Sequence, residues 1–229
     1  MIHETLSDFL DALSIRGVRT SLIDEAVAQA SFQKSSAIIS ANSDELNLHI
    51  KRLMTDPGHG GKGHATRLMT EMIVAARSSG AELSLVPVIF GSDYDPETHK
   101  ERTGDVIRLY EDLGFTGAPL MIRTPETGLS LRSVKSLYPD ICFAMNEALD
   151  ASPDNVEQAL TGVLSSKLQE INVPHRISPD GSLILSLLDG EHEIRISGMG
   201  EDDFPDYMSP SDLVSLPIGE AEASVPSYG

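Results

Sequence analysis

Between Leu46 and Ser79 an alternating apolar pattern, a glycine-rich loop and a helical apolar stripe follow one another without a break, and this succession limits the fold more than any other feature. In Leu46–Thr55, Leu46, Leu48 and Ile50 form one face and Asn47, His49 and Lys51 the other, which predicts a strand. The alternation then slips, because Leu53 and Met54 are adjacent apolar residues. After Pro57 comes Gly58-His59-Gly60-Gly61-Lys62-Gly63. A helix is predicted from about His64 to Ser79, with Ala65, Leu68, Met69, Met72, Ile73 and Ala76 as its apolar stripe and Gly80 as its C-cap. A strand, a flexible loop and a helix start make an anion-binding arrangement. The glycines let the backbone approach a ligand closely, and the free N–H groups of the first helical turn favour phosphate.

A plain connecting loop is the bland reading of the same residues. Among phosphate ligands, a nucleoside triphosphate in a P-loop needs Ser or Thr after Gly-Lys to hold magnesium, and here Gly63 follows Lys62. A dinucleotide fits the spacing Gly58-x-Gly60-x-x-Gly63, but the acidic residue expected at the end of the next strand is missing. Glu82 falls before that strand, and Pro57 stands where the first strand should run straight into the turn.

Elsewhere the periodicity is uneven. Glu4–Leu13 predicts a helix with Leu6, Phe9, Leu10 and Leu13 inward, and Ser21–Ala30 a second helix with Leu22, Ile23 and Ala26 on one side. Ser36–Ser40 reads as a strand, joined to the next by a turn at Ser43, Asp44 and Glu45. Leu83–Phe90 is apolar nearly throughout, as in a strand buried on both faces, with Pro87 marking a bulge or break. A polar loop is expected from Gly91 to Gly104, a short helix from Asp105 to Leu113 ending at Gly114, and a strand from Phe115 to Ile122. Farther on, Ser152-Pro153-Asp154 opens a helix to about Glu170 whose apolar side carries Val156, Leu160, Val163, Leu164 and Leu168. Leu183–Leu188 and Glu193–Ile196 read as two strands joined at Asp189-Gly190.

The net charge is −18. Residues 1–124 carry 12 basic and 17 acidic side chains, a net of −5, and residues 125–229 carry 5 and 18, a net of −13. This balance argues against sequence-independent binding of nucleic acid, which rests on Lys and Arg neutralising phosphates. From Glu201 to Gly229 there are seven acidic and no basic residues, with four prolines, a composition expected of a solubilising tail or of an arm that binds a basic protein surface. Cys142 is the one cysteine, which excludes an intramolecular disulfide and a cysteine-based zinc site. No apolar run reaches the roughly 20 residues that span a bilayer. The start Met1-Ile2-His3-Glu4-Thr5 has no basic segment before an apolar run, so no secretory signal, no membrane contact and a cytoplasmic location are expected.

Two segments resemble one family. Pro57-Gly-His-Gly-Gly61-Lys62-Gly63-His-Ala65-Thr-Arg-Leu68 is similar to motif A of the GNAT superfamily of N-acetyltransferases, with Gly63 and Ala65 at its last two positions and Gly60 where Arg or Gln is usual. Leu109-Tyr110-Glu111-Asp112-Leu113-Gly114-Phe115 resembles the family's Leu-Tyr-x-x-Leu-Gly-Phe segment. The two stand in the family's order, and the likeness covers about residues 36–123. It implies an α/β (α+β) fold with a mixed central sheet, splayed parallel strands and flanking helices. A small C-terminal helix and β-hairpin unit is added. The expected division is 1–124, 125–200 and 201–229.

The resemblance also implies a mechanism. Acetyl-CoA would lie between the splayed strands Leu46–Thr55 and Leu83–Phe90. Backbone N–H groups of Gly60, Gly61, Lys62, Gly63, His64 and Ala65 would hold its pyrophosphate, with charge from Lys62 and Arg67. A backbone N–H near Met54 or Thr55 would polarise the thioester carbonyl. Thr103 falls where the family often has Asn at a helix start, beside the pantetheine. Tyr110 matches the family's general acid, although a packed helix aromatic is the bland reading of this residue. The acceptor, a small-molecule or protein amine, needs a base, and His49, Glu45 and His59 are the candidates, His49 lying nearest the expected reaction centre. Asp93, Asp95, Glu97 and Glu101 would attract a cationic acceptor such as a polyamine, an aminoglycoside or a lysine. Gly60 and Thr103 also motivate an alternative. In it the chain is a catalytically silent GNAT-fold protein, acting as an interaction or structural component through its acidic C-terminal region.

Overall fold

The computed structural model describes residues 4–41, 46–88, 96–137, 140, 141, 144, 156–179, 181–194 and 218–220, without the side chains of 96–102, 156, 157 and 218–220. They form two compact units, Met1–Thr127 and Gly128–Gly229. Among the described residues no helix is long and apolar enough to cross a membrane.

The first unit is a six-stranded mixed sheet with helices. Its elements are α1 (Glu4–Ile15), β1 (Arg19–Leu22), β2 (Val27–Phe32), β3 (Ser35–Ala41), β4 (Asn47–Thr55), α2 (His64–Ser79), β5 (Glu82–Leu85), α3 (Pro96–Asp112) and β6 (Met121–Arg123). The strands lie in sequence order. Every pair is antiparallel except β4 and β5, which α2 joins as a crossover.

One face of this sheet is the core. Ala28 and Ala30 of β2, Ala37 and Ile39 of β3, Leu48 and Ile50 of β4, and Leu83 and Leu85 of β5 are buried and face one another through the strand pairings. On them pack α1, through the predicted stripe Leu6, Phe9, Leu10 and Leu13, and α2, through Leu68, Met69, Met72, Ile73 and Ala76. Arg67 through Ala76 of α2 are all buried, so this helix is enclosed nearly all round. Gly80 caps it in the left-handed conformation, its N–H bonding to the Ala76 carbonyl. Arg16 and α2 are tied by charge. Glu71, 1 % exposed, accepts from Arg67 at 2.6 Å on its own helix and from Arg16 at 2.5 Å.

Four expectations need correction in this unit. Ser21–Ala30 is not a helix but the end of β1, the hairpin turn and the start of β2. Leu22 and Ile23 are about half exposed, and the residues that go inward are Ala28 and Ala30, two apart. The polar segment Gly91–Gly104 is helical from Pro96 onward, with proline at the first helical position, where its missing N–H costs nothing. The strand expected at Leu83–Phe90 ends at Leu85, two residues before Pro87, which cannot donate to a ladder. Of the strand expected at Phe115–Ile122 only Met121 and Ile122 are strand, in β6; the residues before them turn through the cis Ala118-Pro119 bond, closed by Thr116 pairing with Ile122.

The second unit holds α4 (Leu131–Ser136), α5 (Val156–Glu170), β7 (His175–Ile177), β8 (Leu183–Leu187), β9 (Gly190–Ile194) and β10 (Ile218–Glu220), the strands in the order β10-β9-β8-β7. Leu160, Leu164 and Leu168 of α5 are buried as predicted, together with Leu183, Leu185 and Ile194. The second hairpin strand begins at Gly190, not Glu193, because Leu187 pairs with Gly190 across a two-residue loop. Within the expected acidic tail, Ile218–Glu220 pairs antiparallel with β9.

Candidate functional site

The centre of the first unit's sheet opens at one defined place. β4 and β5 pair in four positions, from Asn47 with Glu82 to Ile50 with Leu85, and there the parallel pairing stops. β4 runs on for five more residues, Lys51–Thr55, paired only with β3 on its other side. At the same point β4 takes one extra residue. Ile39 pairs with Ile50 and Ile38 with Arg52, so Lys51 is a bulge with no partner in β3. The bulge explains the slip in the sequence pattern, since it moves the inward phase from Leu48 and Ile50 to Leu53 and Thr55. Along Lys51–Thr55, backbone groups that alternate toward the β5 side have no strand to pair with. Met54 is partly exposed here, and the Thr55 hydroxyl lies 2.9 Å from Ser35 Oγ.

The glycine-rich loop stands directly after this open edge. Gly58, Gly61 and Gly63 have φ of 78°, 73° and 78°, the left-handed region that disfavours any side chain. The first helical hydrogen bond of α2 runs from the Arg67 N–H to the Gly63 carbonyl at 2.9 Å. Backbone N–H groups of residues 60–66 make no hydrogen bond to another described residue. Methyl groups built at Gly60, Gly61 and Gly63 would meet nothing within 4 Å, so the loop borders open space. Lys62 is exposed at its tip. The β2–β3 hairpin braces it, the Asp56 N–H bonding to the Lys34 carbonyl at 2.8 Å and His64 Nδ1 lying 2.9 Å from Gln33 Oε1. His59 and His64 meet edge to face at 6.0 Å. The loop and helix start thus bring Gly60, Gly61, Lys62, Gly63, His64 and Ala65 together. They do not bring Arg67, whose guanidinium is turned inward. It is bonded to Glu71, lies 5.4 Å over the Phe32 ring, and its residue is 5 % exposed, because a helix position four before Glu71 faces the core side.

On the sheet face opposite the helices lies a cavity of about 500 Å³ lined by Ala26, Val27, Ser40, Ala41, Asn47, His49, Lys51, Ser84 and Leu120. Val27 pairs with Ser40, Ser40 with His49, and His49 with Ser84, so the lining crosses four strands in one row. His49 Nδ1 is 3.1 Å from Ser84 Oγ, Ser84 Oγ donates to Asn47 Oδ1 at 2.7 Å, and Asn47 Nδ2 donates to Glu82 Oε1 at 2.6 Å. Burial, and after it the charge of Lys51, push the His49 imidazole below the usual histidine value. Asn47, Ser84 and Glu82 were missed in the sequence. The available signal was Ser84, a polar residue in an apolar strand.

Tyr110 lies in the last turn of α3 and is buried. The Phe115 N–H bonds to the Tyr110 carbonyl and the Gly114 N–H to the Glu111 carbonyl, both at 2.9 Å, with Gly114 left-handed at φ 87°. This pair of bonds closes the helix end, and the Tyr110 and Phe115 rings meet edge to face at 5.9 Å. Arg123 Nε donates to the Leu113 carbonyl at 2.9 Å and fixes the same end to β6. Burial raises the Tyr110 phenol above the usual tyrosine value, so it keeps its proton at neutral pH. Thr103 sits half-buried inside α3, not at a helix start, because the helix begins at Pro96. Glu45, Asp93 and Asp95 lie outside the described residues, and Glu97 and Glu101 are helical residues of α3.

No curated protein and no solved structure matches the chain significantly. A family model does, the acetyltransferase (GNAT) family, over residues 18–115, from the start of the sheet to the residue that closes α3. By that match and by the mixed sheet with one parallel pair, residues 18–115 of the first unit are similar to the acetyltransferase (GNAT) family.

Proposed function

We propose that the first unit moves an acetyl group from acetyl-CoA to a primary amine by direct attack of the amine on the thioester. The observation that carries this reading is the parting of β4 from β5 after Ile50 and Leu85, ahead of a loop that borders open space and whose N–H groups are unbonded among the described residues. An extended pantetheine arm fits beside Lys51–Thr55, where it takes the hydrogen bonds that β5 no longer supplies. Residues 60–65 fit a pyrophosphate through their backbone N–H groups and the positive end of the α2 dipole, and Lys62 adds a point charge. When bound, acetyl-CoA supplies an activated acyl carbon and a thiolate leaving group.

The chain's own groups then have three tasks. A backbone N–H in Met54 or Thr55 polarises the acyl oxygen. His49, in the cavity on the far face of the same strand, accepts the proton that the amine loses as the new C–N bond forms. Tyr110 gives its phenolic proton to sulfur as the C–S bond breaks, and is reprotonated from solvent. Titration of the protein with acetyl-CoA in a calorimeter, with NAD and ATP as controls, tests the reading. Micromolar binding of acetyl-CoA alone is expected. Its absence in the folded protein overturns the proposal.

A further inference from the structure

His49 is held by a chain of side chains that crosses the parallel pair of β4 and β5. The chain has a single consistent direction. The Glu82 carboxylate can only accept, so Asn47 must present its NH₂ to it, at 2.6 Å. The Asn47 amide oxygen then faces Ser84 and can only accept, so the one hydroxyl proton of Ser84 is committed to it, at 2.7 Å. Ser84 Oγ therefore has only lone pairs left for His49 Nδ1, 3.1 Å away, and Nδ1 must be the nitrogen that carries hydrogen. Nε2 has no hydrogen-bond partner among the described residues, and His49 lines the cavity.

We propose that Ser84, Asn47 and Glu82 are positioning residues that lock His49 in its Nδ1–H tautomer, which leaves the Nε2 lone pair as the base for the acceptor amine. This rests on the reading of His49 as the general base. The array orients the ring and stabilises the imidazolium, because each bond points its negative end toward His49 and the row ends on a carboxylate. It does not conduct the proton, since a carboxamide N–H is not passed along. The register sets the array: Asn47 pairs with Glu82 and His49 with Ser84, which puts all four side chains on the face away from the helices. The charged groups near the ring are Lys51 on β4 and Glu82 on β5. β3 presents Ser40 and β2 Val27, and no further titratable side chain lines the cavity among the described residues.

Long-range ¹H–¹⁵N correlation spectra of the full chain labelled at histidine test the array without any substrate, with the His49→Gln spectrum used to assign the signal. At pH 8 the neutral ring is expected with Nδ1 protonated and Nε2 bare. Ser84→Ala is expected to return His49 to a mixture rich in the Nε2–H form, and Ser84→Thr to restore the Nδ1–H form. An Nε2–H ring in the unaltered protein, or a ring indifferent to Ser84→Ala, overturns the proposal. Turnover is the second readout. Ser84→Ala is expected to lower kcat about 10–100-fold, as loss of a histidine's orienting partner does elsewhere, with the acetyl-CoA dissociation constant unchanged. Unchanged binding also shows that the variant folds. If the tautomer behaves as stated but His49→Gln keeps full turnover, the base reading fails, and the positioning role in catalysis falls with it.

Discussion

Ile50 pairs with Leu85, and no residue of β4 beyond Ile50 has a partner in β5. The next residue, Lys51, is the one that β3 also leaves unpaired. A bulge on one side and the end of pairing on the other therefore coincide within two residues. A bulge bends its strand and increases local twist, so the far half of β4 diverges from the direction of β5. The open edge, the glycine loop and the His49 row all follow from this point.

Tyr110→Phe separates packing from chemistry. The ring contact with Phe115 and the backbone bonds that close α3 need no hydroxyl. Stability should change by less than about 0.5 kcal/mol, while kcat falls about 10²–10³-fold at constant acetyl-CoA affinity. Equal turnover in steady-state assays would remove Tyr110 as the acid.

The pH profile has a stated direction at each end. As the proposed base, His49 has to be unprotonated, and burial and Lys51 hold its pKa below the usual value, so activity is expected to be lost only as pH falls below about 6.5. As the proposed acid, Tyr110 has to be protonated, and burial holds its pKa above the usual value, so activity is expected to be lost only above about pH 10. The ratio of wild-type to His49→Gln rates, in which the acceptor's own titration cancels, should stay flat between these limits. A ratio that changes near pH 8 would contradict this assignment.

Gly63→Val should lower acetyl-CoA affinity at least tenfold in calorimetry. A β-branched residue at φ 78° costs about 1–2 kcal/mol and turns the helix start away from its present direction. Gly60→Gln is the contrast. Gly60 is outside the left-handed region and borders open space, so this change should leave fold and affinity intact or tighten binding. Equal affinity in both variants would count against the loop as the pyrophosphate site.

Glu71→Ala should cost about 3–5 kcal/mol of stability, read from the urea midpoint at constant slope. It removes the carboxylate from Arg67, which is 5 % exposed and cannot turn to water without leaving the core. Arg16→Ala, at the partly exposed end of the same cluster, should cost less.

Elements whose periodicity is set by one packed face were legible in the sequence. The stripes of α1 and α2, the alternation of Asn47–Ile50 and the glycine ends of α2 and α3 are local patterns with local causes. The β1–β2 hairpin was not, because Leu22, Ile23 and Ala26 happen to sit at helical intervals. What fixes them is the pairing of Ala28 with Ile39 and Ala30 with Ala37. The first half of α3 has no apolar residue between Pro96 and Gly104 from which a stripe could be read. Of the site, the loop and Tyr110 were visible as motifs. Arg67 was misplaced because its partner Glu71 looks like any helix-face carboxylate until burial is known. The meeting of Asn47, Ser84 and Glu82 was not legible, apart from the polar Ser84 in an apolar strand, since it depends on a register between strands about 35 residues apart.

An unpaired strand edge is normally a hazard, because a strand from another molecule can add to it. Here the exposed stretch of β4 begins where β5 is still bonded to it, so an incoming strand cannot lie alongside its full length without displacing Ile50 from Leu85. A wedge that is shut at one end leaves only the five residues Lys51–Thr55 for an added strand. The geometry proposed to make room for a thin ligand thus also limits how far a strand from another molecule can pair along β4.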